Sequence, residues 1–279
     1  MTYKIVSDSS SNIFTWDKIP YATVPLKILS SEKEYVDNSS LDVAGMVEDL
    51  KTVKGATKTA CPSTGEWLDA FEGADCIFAI TLTSNLSGCY NSACIARDQY
   101  IEEHPASKVH VVDSLSTGGE MHLIIEKITE LIEMGKEFEE IVKEIEEYKD
   151  TTRLIFSLQS LTNLARNGRV SPAVAAIAGV LGIRVVGSAT DGRLDPTDKV
   201  RGEKKALSTI YANMKKCGYK GGKVRINHCL NPESAETLKE KILSEYPNAD
   251  VSIVSCTALC SFYAEAGGLI IGYEGANKH

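Results

Sequence analysis

The sequence predicts an α/β protein of two domains, and three observations carry that reading. Short β-branched or apolar runs repeatedly end in clusters of Ser, Thr, Asp or Gly, with helix-compatible sequence after them. Strands alternating with helices in this way argue for βαβ units and a parallel sheet flanked by helices. The pattern restarts after Lys149 and Asp150, which divides an N-terminal α/β domain, 1–152, from a C-terminal one, 153–279. A length of 279 residues, at roughly 150 per domain, agrees with two units.

The elements follow in order. Lys4 to Val6 leads into Ser7-Asp8-Ser9-Ser10-Ser11, and Cys76 to Leu82 into Thr83-Ser84-Asn85-Leu86-Ser87-Gly88. Lys108 to Val112 leads into Asp113-Ser114-Leu115-Ser116-Thr117-Gly118-Gly119. Helices are expected at 42–51, 64–71, 89–102 and 119–133. Another at 138–148 puts Ile141, Val142, Ile145 and Tyr148 on one face, with glutamates and lysines on a solvated face. The second half reads as a strand at 154–157, a short helix at 161–166, a small-residue helix at 172–181 and a strand at 184–189. Asp191-Gly192 is expected to turn a hairpin, because a D-G pair between extended segments favours one. A helix at 201–216, a strand at 223–227, a helix at 232–245 and a strand at 250–254 complete the order.

Composition narrows the function. Hydrophobic residues make up 43% and charged residues 24%, ordinary for a globular chain long enough to bury a large core. A net charge of −8 argues against nucleic acid as partner, since phosphate backbones call for a basic surface. The opening MTYKIVSDSSS lacks a secretory core, and the longest uncharged apolar run, 170–183, is shorter than the ~20 residues that span a bilayer. A cytoplasmic protein is the expectation. Eight cysteines are scattered without a C-x-x-C pair, so free thiols are expected and no metal or cofactor.

The Ser/Thr loops fall where parallel strands end and helices begin, the edge at which ligands bind in open α/β sheets. Hydroxyls and backbone N–H groups at helix N-termini favour an anion such as a carboxylate or phosphate. Capping alone is the other reading, since Ser, Thr and Asp are preferred N-caps; three such loops in one half favour a shared anion site. There is no phosphate-binding G-x-x-x-x-G-K-[ST] loop, no G-x-G-x-x-G after a strand and no G-x-S-x-G elbow. Ser9 and Ser87 would need a nearby base to act as nucleophiles. Of five histidines, His104, His110, His122 and His279 belong to no motif. His228, ending a predicted strand, is placed either near a ligand or as a structural hydrogen-bonder. A binding protein without turnover of its own fits better than a stand-alone enzyme.

Eight strings in order carry a resemblance that spans nearly the whole chain. Ile5-Val6-Ser7-Asp8-Ser9-Ser10-Ser11 resembles the "VTDSSSD" opening of the DegV family, and Val24-Pro25-Leu26 its "IPL" strand. Lys58-Thr59-Ala60-Cys61-Pro62-Ser63 is similar to "KTSQPS", and Thr83 to Tyr90 to "SSGLSGTY". Val112-Asp113-Ser114 matches the third loop, and Leu164 to Ser171 resembles "L-x-x-G-G-R-I-S". Asp191-Gly192-Arg193-Leu194 and Lys199-Val200-Arg201-Gly202 match "DGKL…KVRG".

The resemblance implies two α/β domains with a long-chain fatty acid between them. It implies the acyl-binding subunit of a bacterial fatty acid kinase, which presents the carboxylate to a separate ATP-using catalytic subunit that makes acyl phosphate for phospholipid synthesis. Transient contact with a membrane would accompany lipid exchange. By motif, Thr59 and Ser87 would hydrogen-bond the carboxylate, with Ser84, Gly88, Ser9 and Ser114 in the same loops, and Arg169 and Arg201 would face the kinase subunit. Tyr263 stands where the family's "AHTGPG" carries a histidine, with Glu265 nearby as a source of repulsion. A phenol offers one neutral hydrogen bond where a histidine can pair as a cation. Ala173 to Leu181 would supply one wall of a slot for the tail, or else simply pack tightly on a sheet. Cys89, at a helix start, is a candidate for a lowered thiol pKa. The alternatives are a lipid carrier uncoupled from a kinase, a dihydroxyacetone-kinase-like subunit carrying a small hydroxyketone on His228, and a serine hydrolase.

Overall fold

The computed structural model of the protein describes residues 1–175 and 182–278. β1 (Tyr3–Asp8) and β2 (Tyr21–Val24) precede three short strands, β3 (Lys27–Leu29), β4 (Glu34–Val36) and, after α1 (Val43–Thr52), β5 (Lys58–Ala60). α2 (Thr64–Phe71), β6 (Cys76–Thr81), α3 (Cys89–Glu103), β7 (Lys108–Asp113), α4 (Gly119–Glu133) and α5 (Phe138–Lys149) follow. The second half holds β8 (Thr152–Leu158), α6 (Thr162–Arg166), α7 (Pro172–Ala175), β9 (Ile183–Thr190), β10 (Arg193–Arg201) and α8 (Glu203–Lys216). It ends with β11 (Val224–His228), α9 (Pro232–Glu245), β12 (Val251–Ser255), α10 (Ala258–Ala264) and β13 (Leu269–Glu274).

The first sheet is parallel, in the order β2-β1-β6-β7. Side chains alternate across a strand, and this sheet is covered on both faces. Ile5, Phe78, Ile80 and Val112 pack with Met121, Ile124, Ile128, Ile141 and Ile145 of α4 and α5. Their neighbours Val6, Ile77, Ala79 and Val111 pack on the other side with Trp67, Phe71, Ala93 and Tyr100 of α2 and α3. Local capping starts these helices as the sequence dictates: Ser63 and Glu66 form a reciprocal capping box at α2, with Glu66 Oε2 accepting from Ser63 N at 2.8 Å.

The second sheet departs from the expected βαβ repetition. Its order is β10-β9-β8-β13-β11-β12, and only β11 and β12 run parallel. Two connections cause this. Asp191 (φ 48°) and Gly192 (φ 72°) both take the left-handed conformation that a two-residue hairpin turn demands, so β10 returns antiparallel beside β9. The terminal β13 then inserts antiparallel between β8 and β11. α8 and α9 cover one face, against Ile155, Val186, Ile226 and Ile271. The other face, with Leu154, Phe156, Leu158 and Ile270, meets α1, α10 and a third small sheet, β4-β3-β5, which the sequence reading lacked.

α4 lies between the two large sheets and is buried without interruption from Gly119 to Ile125. Its approach to β13 needs glycine twice. A Cβ on Gly272 would collide with the Gly119–Glu120 peptide, and a Cβ on Gly119 with the Arg225 carbonyl. Residues 176–181 of the expected small-residue helix lie outside the described residues.

Candidate functional site

Between the sheets lies an apolar cavity with about 710 Å³ of space, its open mouth included. Leu154, Phe156 and Leu158, alternate residues of β8, line it together with Ile270 of β13. Leu26, Leu82 and Leu259 close it from the side of the first sheet. These apolar liners are buried, whereas Thr59, Leu86, Ser87, Arg169, Leu194 and Tyr263 are partly exposed and mark the opening.

The polar groups at the opening come from distant parts of the chain. Thr59 on β5 and Tyr263 on α10 bring their hydroxyls within 2.8 Å. Ser87 accepts from Cys89 N at 3.3 Å and donates to Cys89 Sγ at 3.2 Å, a weak acceptor that a better one would displace. Two further hydroxyls in the lining are committed: Thr83 donates to Gly192 O at 2.9 Å, and Thr117 to Ser10 O at 3.4 Å. Burial raises the Tyr263 phenol above its ordinary value, against the opposing pull of its Thr59 hydrogen bond and the Arg169 charge. Tyr263 is therefore a neutral donor at neutral pH.

Other expected site residues fall elsewhere. Ser9 is fully buried, its hydroxyl accepting from Leu26 N at 3.0 Å, and Ser114 is buried with its hydroxyl on Ser116 O at 3.1 Å. Both brace loops and neither lines the cavity. Ser84 and Gly88 are exposed outside the lining. Arg201 is exposed at the end of β10, while Arg169 turns back onto the opening, donating from Nε to Leu86 O at 3.1 Å. Glu265 does not face the opening: its carboxylate accepts from Ser160 Oγ at 2.9 Å and Asn163 N at 3.3 Å. His228 accepts from Asn231 N at 3.2 Å through Nδ1, lies outside the cavity lining, and has its pKa lowered by burial. The expected low-pKa thiol is corrected too. Burial, with the Asp8 carboxyl beside it, pushes Cys89 well above the ordinary thiol value, outweighing its position at the start of α3.

Sequence reasoning missed two buried carboxyls that shape the opening. Asp8 accepts from Leu82 N at 2.7 Å, Ser10 Oγ at 2.5 Å and Ser10 N at 3.0 Å, which fixes where the 82–88 loop leaves β6. Burial drives its pKa up to about 6 against those hydrogen bonds. Asp37 accepts from Ala258 N at 2.7 Å and Leu259 N at 3.0 Å, so it caps the helix that carries Tyr263. The apolar liners had a readable signal in the alternation along β8; Asp37 had none, because its partners lie about 220 positions away.

A family described as "Uncharacterised protein, DegV family" matches residues 2–275. The chain belongs to the DegV family. A DegV domain-containing protein of Streptococcus pneumoniae is 42% identical over 98% of this chain and 99% of its own. Among solved structures, the Streptococcus pneumoniae fatty acid kinase (Fak) B3 protein loaded with linoleic acid superposes with a TM-score of 0.97, at 42% identity over 99% of this chain and 100% of that one. A DegV family protein of Eubacterium eligens loaded with heptadecanoic acid also gives a TM-score of 0.97, at 44% identity over 99% and 100% of the two chains. These DegV structures have the same mixed α/β architecture, with a parallel sheet flanked by helices. Among the described residues of this chain, no helix is long and apolar enough to cross a membrane.

Proposed function

We propose that this protein binds a long-chain fatty acid with its tail in the cavity between the sheets and its carboxylate at Thr59, Ser87 and Tyr263. The observation that carries the reading is the cavity's polarity: buried leucines and Phe156 inside, hydroxyls at the partly exposed opening. About a dozen methylenes at ~0.8 kcal/mol each contribute on the order of 10 kcal/mol before ordering costs. The tail thus dominates affinity, and the hydroxyls set which end faces outward. Linoleic and heptadecanoic acids in two DegV structures above 40% identity support the same ligand class. In this reading residues 1–152 and 153–279 act as two domains with the ligand between them.

The finer reading is that the chain presents the carboxylate to a separate fatty acid kinase subunit and does no chemistry itself. The likeness to the kinase's B3 protein supports it. So does the Ser87 hydroxyl, whose partner is Cys89 rather than a base. The exposed Arg201 is the partner-facing charge in this reading. The hydroxyketone reading loses its carrier, since His228 stands away from the cavity.

Native mass spectrometry of the purified protein, followed by lipid extraction, tests the binding: a bound fatty acid is expected, and a protein that neither retains nor takes up palmitate would refute it. Mixing the loaded protein with a fatty acid kinase catalytic subunit and ATP tests the coupling. Acyl phosphate should form only when both proteins are present.

A further inference from the structure

The Asp8 carboxyl, at the end of β1, is fully buried and served only by neutral donors. Oδ1 accepts from Ser10 Oγ and Ser10 N, Oδ2 accepts from Leu82 N, and the Cys89 thiol donates to the same carboxyl. Among the described residues, no lysine, arginine or histidine pairs with it. The titratable groups that face it are Tyr21 on β2, Cys89 on α3 and Cys260 on α10. Burial raises all three, so each is neutral at neutral pH and none offsets its charge. The same cluster reaches the cavity: Leu82 lines it, and Cys89 accepts at Sγ from Ser87 Oγ at 3.2 Å. One side chain, Cys89, therefore separates Asp8 from a hydroxyl at the opening.

We propose that Asp8 makes fatty acid binding proton-coupled: a carboxylate arriving at Ser87 drives Asp8 to take up a proton from solvent. This deepens the fatty acid reading and rests on it. Two carboxylates close together in a water-poor site repel, and the less compensated one gives up its charge by protonation. Asp8 is the less compensated, because the ligand's carboxylate lies at a partly exposed opening and Asp8 touches no water. Burial already holds Asp8 at about 6 without a ligand, so a modest push carries it across neutrality. At an effective dielectric near ~20, a charge one side chain away favours the protonated form about tenfold. Palmitate affinity accordingly falls about tenfold in total as pH rises from about 6 to about 8. A neutral head group exerts no such push.

Calorimetry of palmitate and hexadecan-1-ol at about pH 6.5, in buffers of different ionisation enthalpy, counts the protons taken up on binding. The wild type is expected to take up about half a proton with palmitate and none with hexadecanol, and Asp8→Asn to lose the palmitate uptake. Carbon-13 NMR of the Asp8 carboxyl in the wild type reads the same step without a variant. Its titration should move upward by about one pH unit when palmitate is bound. Palmitate binding without proton uptake, an unmoved Asp8 titration, or folded Asp8→Asn matching the wild type would overturn the proposal and leave the fatty acid reading intact. Binding of neither ligand to the wild type would overturn both.

Discussion

The Tyr263 hydroxyl lies 2.8 Å from Thr59 Oγ1, joining α10 to β5 across 204 positions of sequence. Two hydroxyls facing each other use only one of their hydrogens between them, so the second O–H is free to turn toward a ligand. Thr59→Val, like Ser87→Ala, is expected to lower palmitate affinity by about 1 kcal/mol more than hexadecanol affinity, since each removes one hydrogen bond to the head group. Equal losses for acid and alcohol in calorimetry would reject the head-group assignment.

Asp8 gives the protein an unusual pH dependence. Its carboxyl rises from 3.8 to about 6 on folding, because burial outweighs its hydrogen bonds from Ser10 and Leu82. The folded state therefore holds the proton more tightly, and stability falls as pH rises through the window between those two values. The loss amounts to roughly 3 kcal/mol by linkage. Asp37, also raised by burial, acts with the same sign. Glu126 acts with the opposite sign at the acid end of this window: burial raises it, but hydrogen bonds from His122 and Arg225 win and hold it at about 2. Its contribution is complete only above its ordinary value of 4.5, and comparison with Asp8→Asn cancels it. Urea unfolding between about pH 4 and pH 7 should show the wild type losing stability relative to Asp8→Asn as pH increases. Parallel profiles for the two proteins would show that Asp8 does not titrate there.

The parallel sheet was legible because its information is local. The apolar runs of β1 and β6, the Ser/Thr clusters that end them and the 3.6-residue periodicity of α5 all act within one element or its flank. The elements that were missed draw their stability from elsewhere. β3, β4 and β5 are three residues each, too short for a pattern to register, and they hold because Ile28 and Tyr35 pack against the second half of the chain. At the site, the loops announced Thr59 and Ser87 by their hydroxyls, yet equally announced Ser9 and Ser114, which the fold buries. Residue type could not tell a ligand hydroxyl from a bracing one; only the path of the chain does. Glu265 shows the same limit. At φ 54° it closes α10 and sends its side chain to Ser160 and Asn163, away from Tyr263.

Asp37 is the residue whose loss should most disturb the opening without touching it. It accepts from two backbone N–H groups at the start of α10 and from Thr257 Oγ1 at 3.2 Å. Asp37→Ala strands those donors in a buried place, a cost of about 2 kcal/mol after allowing for the desolvation that the carboxyl no longer suffers. Because α10 carries Tyr263 at the opening as well as Leu259 and Cys260 in the lining, palmitate and hexadecanol should both bind more weakly, palmitate by the larger factor. Chemical denaturation together with the two affinities checks this, and unchanged affinities in a folded but destabilised Asp37→Ala would show that the opening does not depend on this cap.

Chain-length preference should be set by Phe156 and Gly187, paired opposite each other on β8 and β9. The Phe156 ring lies over the glycine: a Cβ added at Gly187 would stand 2.5 Å from Phe156 Cζ and 2.5 Å from the Asp195 carbonyl. Each contact is too close for a real Cβ, so both the Asp195–Pro196 backbone and the ring must give way, and the open space on the ring's side is the cavity that it lines. Gly187→Ala is therefore expected to destabilise the protein by about 1–3 kcal/mol through overpacking and to shift its preference toward shorter chains. Phe156→Leu removes ring volume from the same wall and should shift it toward longer ones. Affinities for saturated acids of fourteen, sixteen and eighteen carbons provide the readout. If both folded variants kept the wild-type order and ratios, the tail would have to lie along a different wall, and Leu154 and Leu158 would be the next residues to vary.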